Sequence, residues 1–331
     1  MQSLEDIQLN FARLRQQIGR GELFLHLGDE MTALVRDVKR TRTVPDLNLP
    51  VEDDASFELF DALFERIDGA VGPITEKNLL ISDDELALVA VQLASLNPDL
   101  RDRGAFYFLG DALQGQLLTP RQLHWLTVYL LGNEQLFLGI LAPENDGIYR
   151  RGFAAMILSL LVLAHRTQTP FMDEELLAQT IESAAVYAAL ERDTRGFVGD
   201  IGWAHAWTHI GNLANELAAL PDLARADKIF LLAALFTGYR ELDTPLMMGE
   251  TERVAAVVID LTKRHAVYAD YVLRALKVWR QDMMTPEPPE TEAGWHKIYN
   301  RTRFFQALAL RKEDLSANVR EYIESTKDFL I

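Results

Sequence analysis

The dominant pattern in this sequence is a helical periodicity of its apolar residues. Along most of its length the apolar residues recur at three- and four-residue steps, as in Leu86, Val89, Ala90, Leu93 and Leu96. This spacing places apolar side chains on one face of an α-helix. Runs in which apolar and polar residues alternate, the pattern typical of strands, are nearly absent. The sequence therefore predicts an all-α fold.

Signals for helix starts recur between the periodic segments. They are Ser82-Asp83-Asp84-Glu85, Thr119-Pro120 and Asp173-Glu174-Glu175, and each combines a capping residue with an acidic or proline-containing first turn. Short connections such as Leu220-Pro221-Asp222 favour antiparallel neighbours. These features predict stacked antiparallel helix pairs, that is, a HEAT- or armadillo-like α-solenoid.

A weak internal sequence repeat supports the stacking of helix pairs. Its members are Arg103-Gly104-Ala105-Phe106, Arg151-Gly152-Phe153 and Arg195-Gly196-Phe197. Their spacing is close to the period of about 40–47 residues found in HEAT and armadillo helix pairs. We expect residues 1–331 to form a single helical-repeat body, in which residues 1–80 are a less regular N-terminal part and residues 81–331 form the helical stack.

Charge and composition limit the partners and the compartment. The 331 residues contain 33 Lys and Arg against 49 Asp and Glu, a formal charge of -16, and no cysteine. Acidic surfaces disfavour nucleic acid and anionic membranes, and the lack of cysteine agrees with a reducing compartment. The first residues lack the pattern of a signal peptide. We expect a cytoplasmic protein that binds neither nucleic acid nor membranes.

An apolar run at residues 153–164 is shorter than the ~20 residues of a membrane span. We therefore expect this run to form a buried core helix.

Common catalytic motifs are missing from the sequence. It contains neither a glycine-rich phosphate loop nor a Gly-x-Ser-x-Gly nucleophile turn. No Asp-Asp-x-x-Asp pair of the kind used by prenyl-diphosphate enzymes is present either. These absences remove several frequent enzyme classes and predict no cofactor, while leaving the catalytic residues unknown.

One segment, residues 191–209, differs from the rest of the chain. Three glycines, Gly196, Gly199 and Gly202, indicate a compact loop that allows positive φ angles and close backbone approach. From Ile201 to Asn215 no residue carries a fixed charge, so we expect the following helix to be buried on most sides. Trp203 and Trp207 are expected to be core residues.

Histidines near this loop suggest a site. His205, His209, Asn212 and Glu216 fall on one narrow stripe of the predicted helix. Three interpretations remain open: a buried structural pair bonded to backbone or to Asp193, a site for an organic or anionic ligand, and a zinc site with a third ligand such as Glu216. No metal is predicted, because the third ligand is not evident. The candidate ligand-binding residues are Asp193, Arg195, Gly196, Trp203, His205, His209, Asn212 and Glu216.

The same segment carries a family resemblance. Asp193-x-Arg195-Gly196-Phe197-Val198 followed by Gly202-Trp203-Ala204-His205-Ala206-x-x-His209 resembles the signature of the bacterial family called domain of unknown function 2785. Less specific matches, including Gly249-Glu250-Thr251-Glu252-Arg253, extend over about residues 85 to 315. The resemblance implies an α-helical, armadillo-like fold and supplies no reaction. The family often carries an acidic residue at the place of Asn212, so the resemblance weakens the zinc interpretation.

Two functions are compatible with these observations. The first is an interaction or scaffold protein, because helical stacks offer extended surfaces. The second is a small-molecule-binding protein or hydrolase-like enzyme that uses a cleft around Asp193, Arg195, His205 and His209. The second hypothesis requires these four side chains to line one cavity. The partner would then be an unknown protein or an unknown small molecule, respectively.

Overall fold

The computed structural model describes residues 2–70, 74–282 and 288–326. It confirms the prediction of a mostly helical protein. Fourteen α-helices are present in the described residues: α1 Leu4–Gly19, α2 Leu27–Asp37, α3 Asp54–Ile67, α4 Asp83–Gln92, α5 Tyr107–Gln114, α6 Pro120–Leu131, α7 Gly147–Thr167, α8 Glu174–Leu190, α9 Ala206–Ala219, α10 Arg225–Arg240, α11 Glu250–Arg264, α12 Ala266–Asp282, α13 Glu292–Leu310 and α14 Ala317–Thr326. Two short strands, β1 Phe197–Val198 and β2 Gly202–Trp203, flank a 3₁₀ turn at Gly199–Ile201; Asp99–Phe106 is a π-helix and Lys312–Asp314 a second 3₁₀ turn.

Side-chain caps start the helices at the positions that the sequence indicates. Ser82 and Thr119 each form a reciprocal capping box at the start of α4 and α6. The side chain of Asp173 accepts a hydrogen bond from the backbone N–H of Leu176 at the start of α8. These local bonds satisfy backbone donors that a helix leaves unpaired at its N-terminus.

Helices two apart in the chain pack against each other in the C-terminal part. One series is α7 on α9, α9 on α11 and α11 on α13; the other is α8 on α10, α10 on α12 and α12 on α14. The N-terminal helices α1 and α2 pack on α8 and α10. The alternation arranges these helices in two layers, and it brings the first turns of α9 and α11 together.

Helix α7 forms part of the protein core. It is the one helix among the described residues that is long and apolar enough to cross a membrane, and 83% of its most apolar window is buried inside the protein. It also contains Arg151, whose guanidinium donates to Glu191 at 2.8 Å with both side chains almost fully buried. The apolar run at residues 153–164 is thus part of a longer, 21-residue helix.

Two glycines allow the closest helix contacts near the site. A Cβ at residue 238 in α10 would lie 1.8 Å from the carbonyl oxygen of Ala188 in α8. A Cβ at residue 152 in α7 would lie 2.9 Å from the carbonyl oxygen of Ala204, just before α9. Both approaches are shorter than a side chain permits, so these glycines set the spacing of the helix pairs.

Candidate functional site

A small β-hairpin, not a simple loop, occupies the segment that precedes α9. Phe197 pairs with Trp203 and Val198 pairs with Gly202 in antiparallel register. Gly199 and Gly202 have φ angles of +42° and +84°, which glycine adopts without the steric cost of a Cβ. Two more backbone hydrogen bonds lie beyond the open end of the hairpin. The N–H of Ala204 donates to the carbonyl oxygen of Gly196, and the N–H of His205 donates to the carbonyl oxygen of Arg195.

Arg101 anchors this hairpin to the neighbouring helices. Its side chain is fully buried, and its Nη2 donates to the carbonyl oxygen of Ile201 at 2.7 Å. Its Nη1 donates to the carbonyl oxygen of Ser95 at 2.9 Å, and its guanidinium lies 4.6 Å from the ring centre of Tyr149. Arg101 lies in the π-helix, a rare conformation that often occurs at functional positions.

His205 sits at the junction of hairpin and helix. It precedes α9 as the N-cap residue, with a left-handed backbone at φ 49°. Its ring stacks on Trp203, with centroids 4.0 Å apart and an interplanar angle of 9°. Of the predicted stripe His205, His209, Asn212 and Glu216, only His205 lies outside the helix, since α9 begins at Ala206.

A buried carboxylate from another helix contacts His205. Nδ1 of His205 lies 3.3 Å from Oε1 of Glu250, and the two side chains are 17% and 1% exposed. Oε2 of Glu250 accepts a hydrogen bond from the backbone N–H of Met248 at 2.8 Å. Burial opposes ionisation of this carboxyl, but the hydrogen bonds and the His205 ring lower the pKa of Glu250 below its ordinary value. Glu250 is thus held as a carboxylate beside the imidazole.

The glycine at position 196 makes room for this carboxylate. A Cβ there would lie 2.8 Å from Sδ of Met248 and 3.1 Å from Oε1 of Glu250. The same sulfur accepts a hydrogen bond from the backbone N–H of Phe197. Gly196, predicted as a site residue, therefore leaves the space that the Met248 and Glu250 side chains occupy.

The arrangement favours one protonation pattern of His205. A carboxylate beside Nδ1 stabilises the tautomer that carries its proton on Nδ1 and leaves a lone pair on Nε2. Thr208 Oγ1 also lies 3.3 Å from Nδ1. Nε2 makes no hydrogen bond with the described residues, so it is free to accept a proton from a ligand or from water.

His209 is a buried, neutral imidazole. It is 9% exposed, and neither ring nitrogen has a hydrogen-bonding partner among the described residues. Its ring centre lies 5.7 Å from Phe153 and 6.2 Å from His205. Burial, with smaller effects from the charges of His205 and Arg253, lowers the pKa of His209 to about 3. The interpretation of a buried pair bonded to backbone or to Asp193 differs from the contacts seen, since the His205 ring lies beside Glu250 and Thr208 and the His209 ring has no hydrogen-bonding partner among the described residues.

Asp193 and Arg195 pair with each other, away from the histidines. Arg195 Nη2 donates to Asp193 Oδ2 at 2.8 Å and to the carbonyl oxygen of Asn145 at 2.7 Å. Burial opposes the charge on the guanidinium, but its bonds with Asp193 raise the pKa of Arg195. Asp193 lines a polar cavity whose lining includes neither His205 nor His209. Arg195, a candidate ligand-binding residue in the sequence, thus binds Asp193 and Asn145 in the structure.

A comparison with protein families now places the chain. A family model described as "Protein of unknown function (DUF2785)" matches residues 136–310, more than half of the chain. The chain belongs to the DUF2785 family. The match is shorter than the predicted span of about residues 85 to 315, and Arg101 lies outside it. Comparisons with curated proteins and with solved structures find no match.

The two remaining predicted site residues of the DUF2785 region, Asn212 and Glu216, contact side chains other than the histidines. Asn212 Nδ2 contacts Sδ of Met156 at 3.5 Å, and Glu216 pairs with Arg166 of α7 at 2.7 Å. Glu216 is therefore not available as a third ligand beside the histidines. Among the described residues, no group of three or more His, Asp and Glu side chains could hold a metal ion.

The two tryptophans have opposite environments. Trp207 is 1% exposed, as predicted for the core, whereas Trp203 is 41% exposed. Trp203 also contacts Phe197, with ring centroids 5.0 Å apart. Its exposure corrects the prediction of a core residue and leaves an aromatic surface beside His205.

Sequence reasoning missed the partner of His205. Glu250 begins α11, and its neighbour Arg253 packs its Cγ 2.6 Å from where a Cβ of Gly211 would lie. Both residues belong to the stretch Gly249-Glu250-Thr251-Glu252-Arg253, which carries one of the weaker matches to DUF2785. That resemblance was the only sequence signal that pointed to Glu250. Helical periodicity could not show that Glu250 contacts His205, because it does not show that α11 packs on α9.

Proposed function

We propose that this protein is a hydrolase-like enzyme that acts on a small molecule and uses His205 as a general base. The observation that carries the proposal is the 3.3 Å contact between His205 Nδ1 and the buried Glu250 carboxylate. A carboxylate in this position orients the ring and stabilises the imidazolium that forms after proton uptake. His205 Nε2 would take a proton from a water molecule as its oxygen attacks the ester carbon or phosphorus, and the imidazolium would return that proton to the departing alcohol as the ester bond breaks.

The surroundings of His205 indicate the kind of substrate. Phe197, Trp203 and Met248 are 50%, 41% and 44% exposed and form an apolar surface at the hairpin. Arg253 makes no ion pair within the described part of the chain, and its charge lies close enough to influence His209. We infer a substrate with an aromatic or apolar group that packs on Trp203 and an anionic group that Arg253 attracts.

The same surface supports a second candidate, an interaction or scaffold protein. Met247 extends the apolar patch and is 69% exposed, and clustered exposed apolar residues often mark binding surfaces. The alternating contacts of α7 to α14 support the further proposal that the helices stack as a HEAT- or armadillo-like solenoid. The charge of -16 supports a cytoplasmic protein without nucleic-acid or membrane partners.

A hydrolysis screen tests the enzyme proposal. Purified protein would be assayed on p-nitrophenyl carboxylic and phosphate esters with apolar and anionic groups. We expect turnover by the wild type, and a loss of about 100-fold or more in kcat for His205→Gln, because general-base catalysis contributes about that factor. His26→Gln, at a surface position, is the matched control.

Two results would reject the enzyme proposal. One is activity that persists unchanged in His205→Gln, which would place the chemistry elsewhere or in a contaminant. The other is the absence of turnover over the whole panel combined with no binding of any of its substrates by the wild type. The second result would leave the interaction hypothesis as the better one, since that hypothesis needs no free Nε2.

A further inference from the structure

A polar cavity beside the C-terminus of α8 is separate from the His205 site. Its volume is about 410 Å³, within the range of about 300–1,000 Å³ typical of small-molecule sites. Its walls come from the chain after α2, the connection between α6 and α7, the first turns of α7, the residues that follow α8, those that follow α10, and α13. The lining includes Arg40, Thr41, Ala142, Asn145, Arg151, Glu191, Arg192, Asp193, Glu241, Asp243, Thr244 and Lys297.

Most carboxylates in this cavity already have a cation. Glu191 pairs with Arg151 at 2.8 Å, and Asp193 pairs with Arg195 at 2.8 Å. Glu241 lies 2.7 Å from Arg36 and 3.5 Å from Lys297. The lining also includes Glu144, which lies 3.8 Å from Arg195 and is 66% exposed, and Asp243, which is exposed. The interior carboxylates are thus neutralised by ion pairs.

Arg40 and Arg192 differ from the other cations of the cavity. Among the residues that the structure describes, Arg40 donates only to the carbonyl oxygens of Ile140 and Leu190, at 3.2 and 2.8 Å. In the same part of the chain Arg192 donates through Nη1 alone, to the carbonyl oxygens of Ala189 and Glu191. Within the described residues neither guanidinium has a carboxylate oxygen within 4.0 Å.

These two cations also face each other's charge. Burial, and next to it repulsion from Arg40, lowers the pKa of Arg192 to about 10, against the charges of Glu241, Glu191 and Asp243. Burial likewise lowers the pKa of Arg40, against the charges of the same three carboxylates. Both side chains remain charged at neutral pH, so their mutual repulsion is a cost that an anion between them would relieve.

Capping of α8 explains part of this arrangement but not all of it. The carbonyl oxygens at the end of a helix attract cations, and both arginines contact that end of α8. A guanidinium has five N–H donors in a planar fork. The caps occupy Nη1 of Arg192, which leaves its Nε and Nη2 edge without a protein acceptor among the described residues.

We propose that this cavity binds a small organic oxyanion, a carboxylate or a phosphate monoester, between Arg40 and Arg192. The Nε and Nη2 edge of Arg192 would donate two parallel hydrogen bonds to the anion, the geometry that guanidinium groups form with carboxylate and phosphate. Arg40 would supply the second positive charge. The ion pairs of Glu191, Asp193 and Glu241 would offset their charges, so the remaining repulsion on the anion comes from the exposed Glu144 and Asp243.

Calorimetric titration with two probes tests this proposal. Succinate and glycerol 3-phosphate would each be titrated into the whole protein at constant ionic strength, with chloride as the reference anion. We expect binding of at least one probe, and a weakening of about tenfold or more in Arg192→Gln, a factor that loss of a bidentate charged contact readily produces. Arg121→Gln removes an exposed arginine that pairs with Glu76 and Asp83, and should bind as the wild type does.

A second variant covers the case in which Arg192→Gln fails to fold. Ala142→Glu places a carboxylate in the cavity wall while both arginines and their caps remain. It should block binding of the probe and raise the melting temperature, because the new carboxylate takes the place of the anion. Absence of binding of both probes to the wild type, or unchanged binding in the folded Ala142→Glu protein, would overturn the proposal and leave the two arginines as helix caps. Neither measurement depends on the ester assay at His205.

Discussion

Glu250 Oε1 lies 3.3 Å from Nδ1 of His205, and this contact joins the start of α11 to the residue that precedes α9. The carboxylate is 1% exposed and receives one backbone hydrogen bond, from Met248. The stacked ring of Trp203 lies on His205. The contact therefore holds hairpin and helices together, whatever chemistry His205 performs.

Glu250→Gln should destabilise the protein by about 1–3 kcal/mol, because it removes a buried negative charge that accepts the Met248 N–H and lies beside His205. The amide keeps the shape of the side chain but loses the charge that faces His205. Urea unfolding at neutral pH would measure the change. Glu252→Gln, an exposed position in the same turn of α11, should change the free energy of unfolding by less than about 0.5 kcal/mol. Equal effects of the two substitutions would contradict a stabilising role for the Glu250–His205 contact.

His209→Leu should leave stability at pH 7.5 unchanged or raise it slightly. The imidazole is buried without a hydrogen-bonding partner among the described residues. An apolar side chain of similar size therefore removes an unsatisfied polar group, and no other polar group loses a hydrogen bond. Thermal melts would measure the result. A loss of more than about 2 kcal/mol would show that His209 makes a polar contact that supports the fold.

The same residue should make the protein sensitive to mild acid. The pKa of His209 is lowered in the folded protein to about 3, below the value of about 6.5 of an unfolded histidine. The unfolded state therefore binds the extra proton first, and stability that is present above about pH 6.5 is lost as the pH falls towards 3, by up to about 1.4 kcal/mol per unit. Urea unfolding at pH 7.5 and pH 5 should show a larger difference in the wild type than in His209→Leu. His26→Gln should retain the difference of the wild type.

Local signals made the helices predictable. Ser82, Thr119 and Asp173 cap the helices that follow them through bonds within three residues, so the sequence carries the whole interaction. Glu250 could not be found in the same way, because its contact with His205 depends on how α9 and α11 pack. The hairpin was also missed, since each of its strands has only two residues and too short a pattern to recognise.

The contacts of Arg195 could not be predicted from the sequence. A cation in a glycine-rich loop resembles a free ligand-binding group, and burial is not visible in sequence. In the structure its side chain is 20% exposed and holds Asp193, which is 4% exposed. The pair and the bond to Asn145 turn the predicted ligand contact into a structural one.

Arg195→Ala should consequently destabilise the protein by about 3 kcal/mol, because it leaves the buried Asp193 carboxylate without its cation. Chemical denaturation would measure this change. Arg103→Ala removes a surface arginine from a pair with Asp99 that is 78% and 54% exposed, and exposed pairs contribute only about 0–1 kcal/mol. A loss in Arg195→Ala no larger than that in Arg103→Ala would contradict the structural role.

Gly238→Ala should be the most damaging small substitution in the helical core. The added Cβ would lie 1.8 Å from the carbonyl oxygen of Ala188 and 3.1 Å from Cα of Ala189. Both atoms belong to the backbone of α8, so no side-chain rotation relieves the clash, and α8 and α10 have to separate. That movement disturbs Glu191 and Arg192 at the end of α8, and we expect a loss of about 4 kcal/mol or more in the free energy of unfolding, in the range of severe core substitutions.

Gly110→Ala is the matched control, because a Cβ there meets nothing within 4 Å. Alanine in the middle of α5 should raise stability by about 0.5–1 kcal/mol, since it restricts the unfolded chain more than glycine does. Circular dichroism melts of the two variants beside the wild type would measure both changes. If Gly238→Ala melts within a few degrees of the wild type, α8 and α10 do not pack as closely as the structure shows.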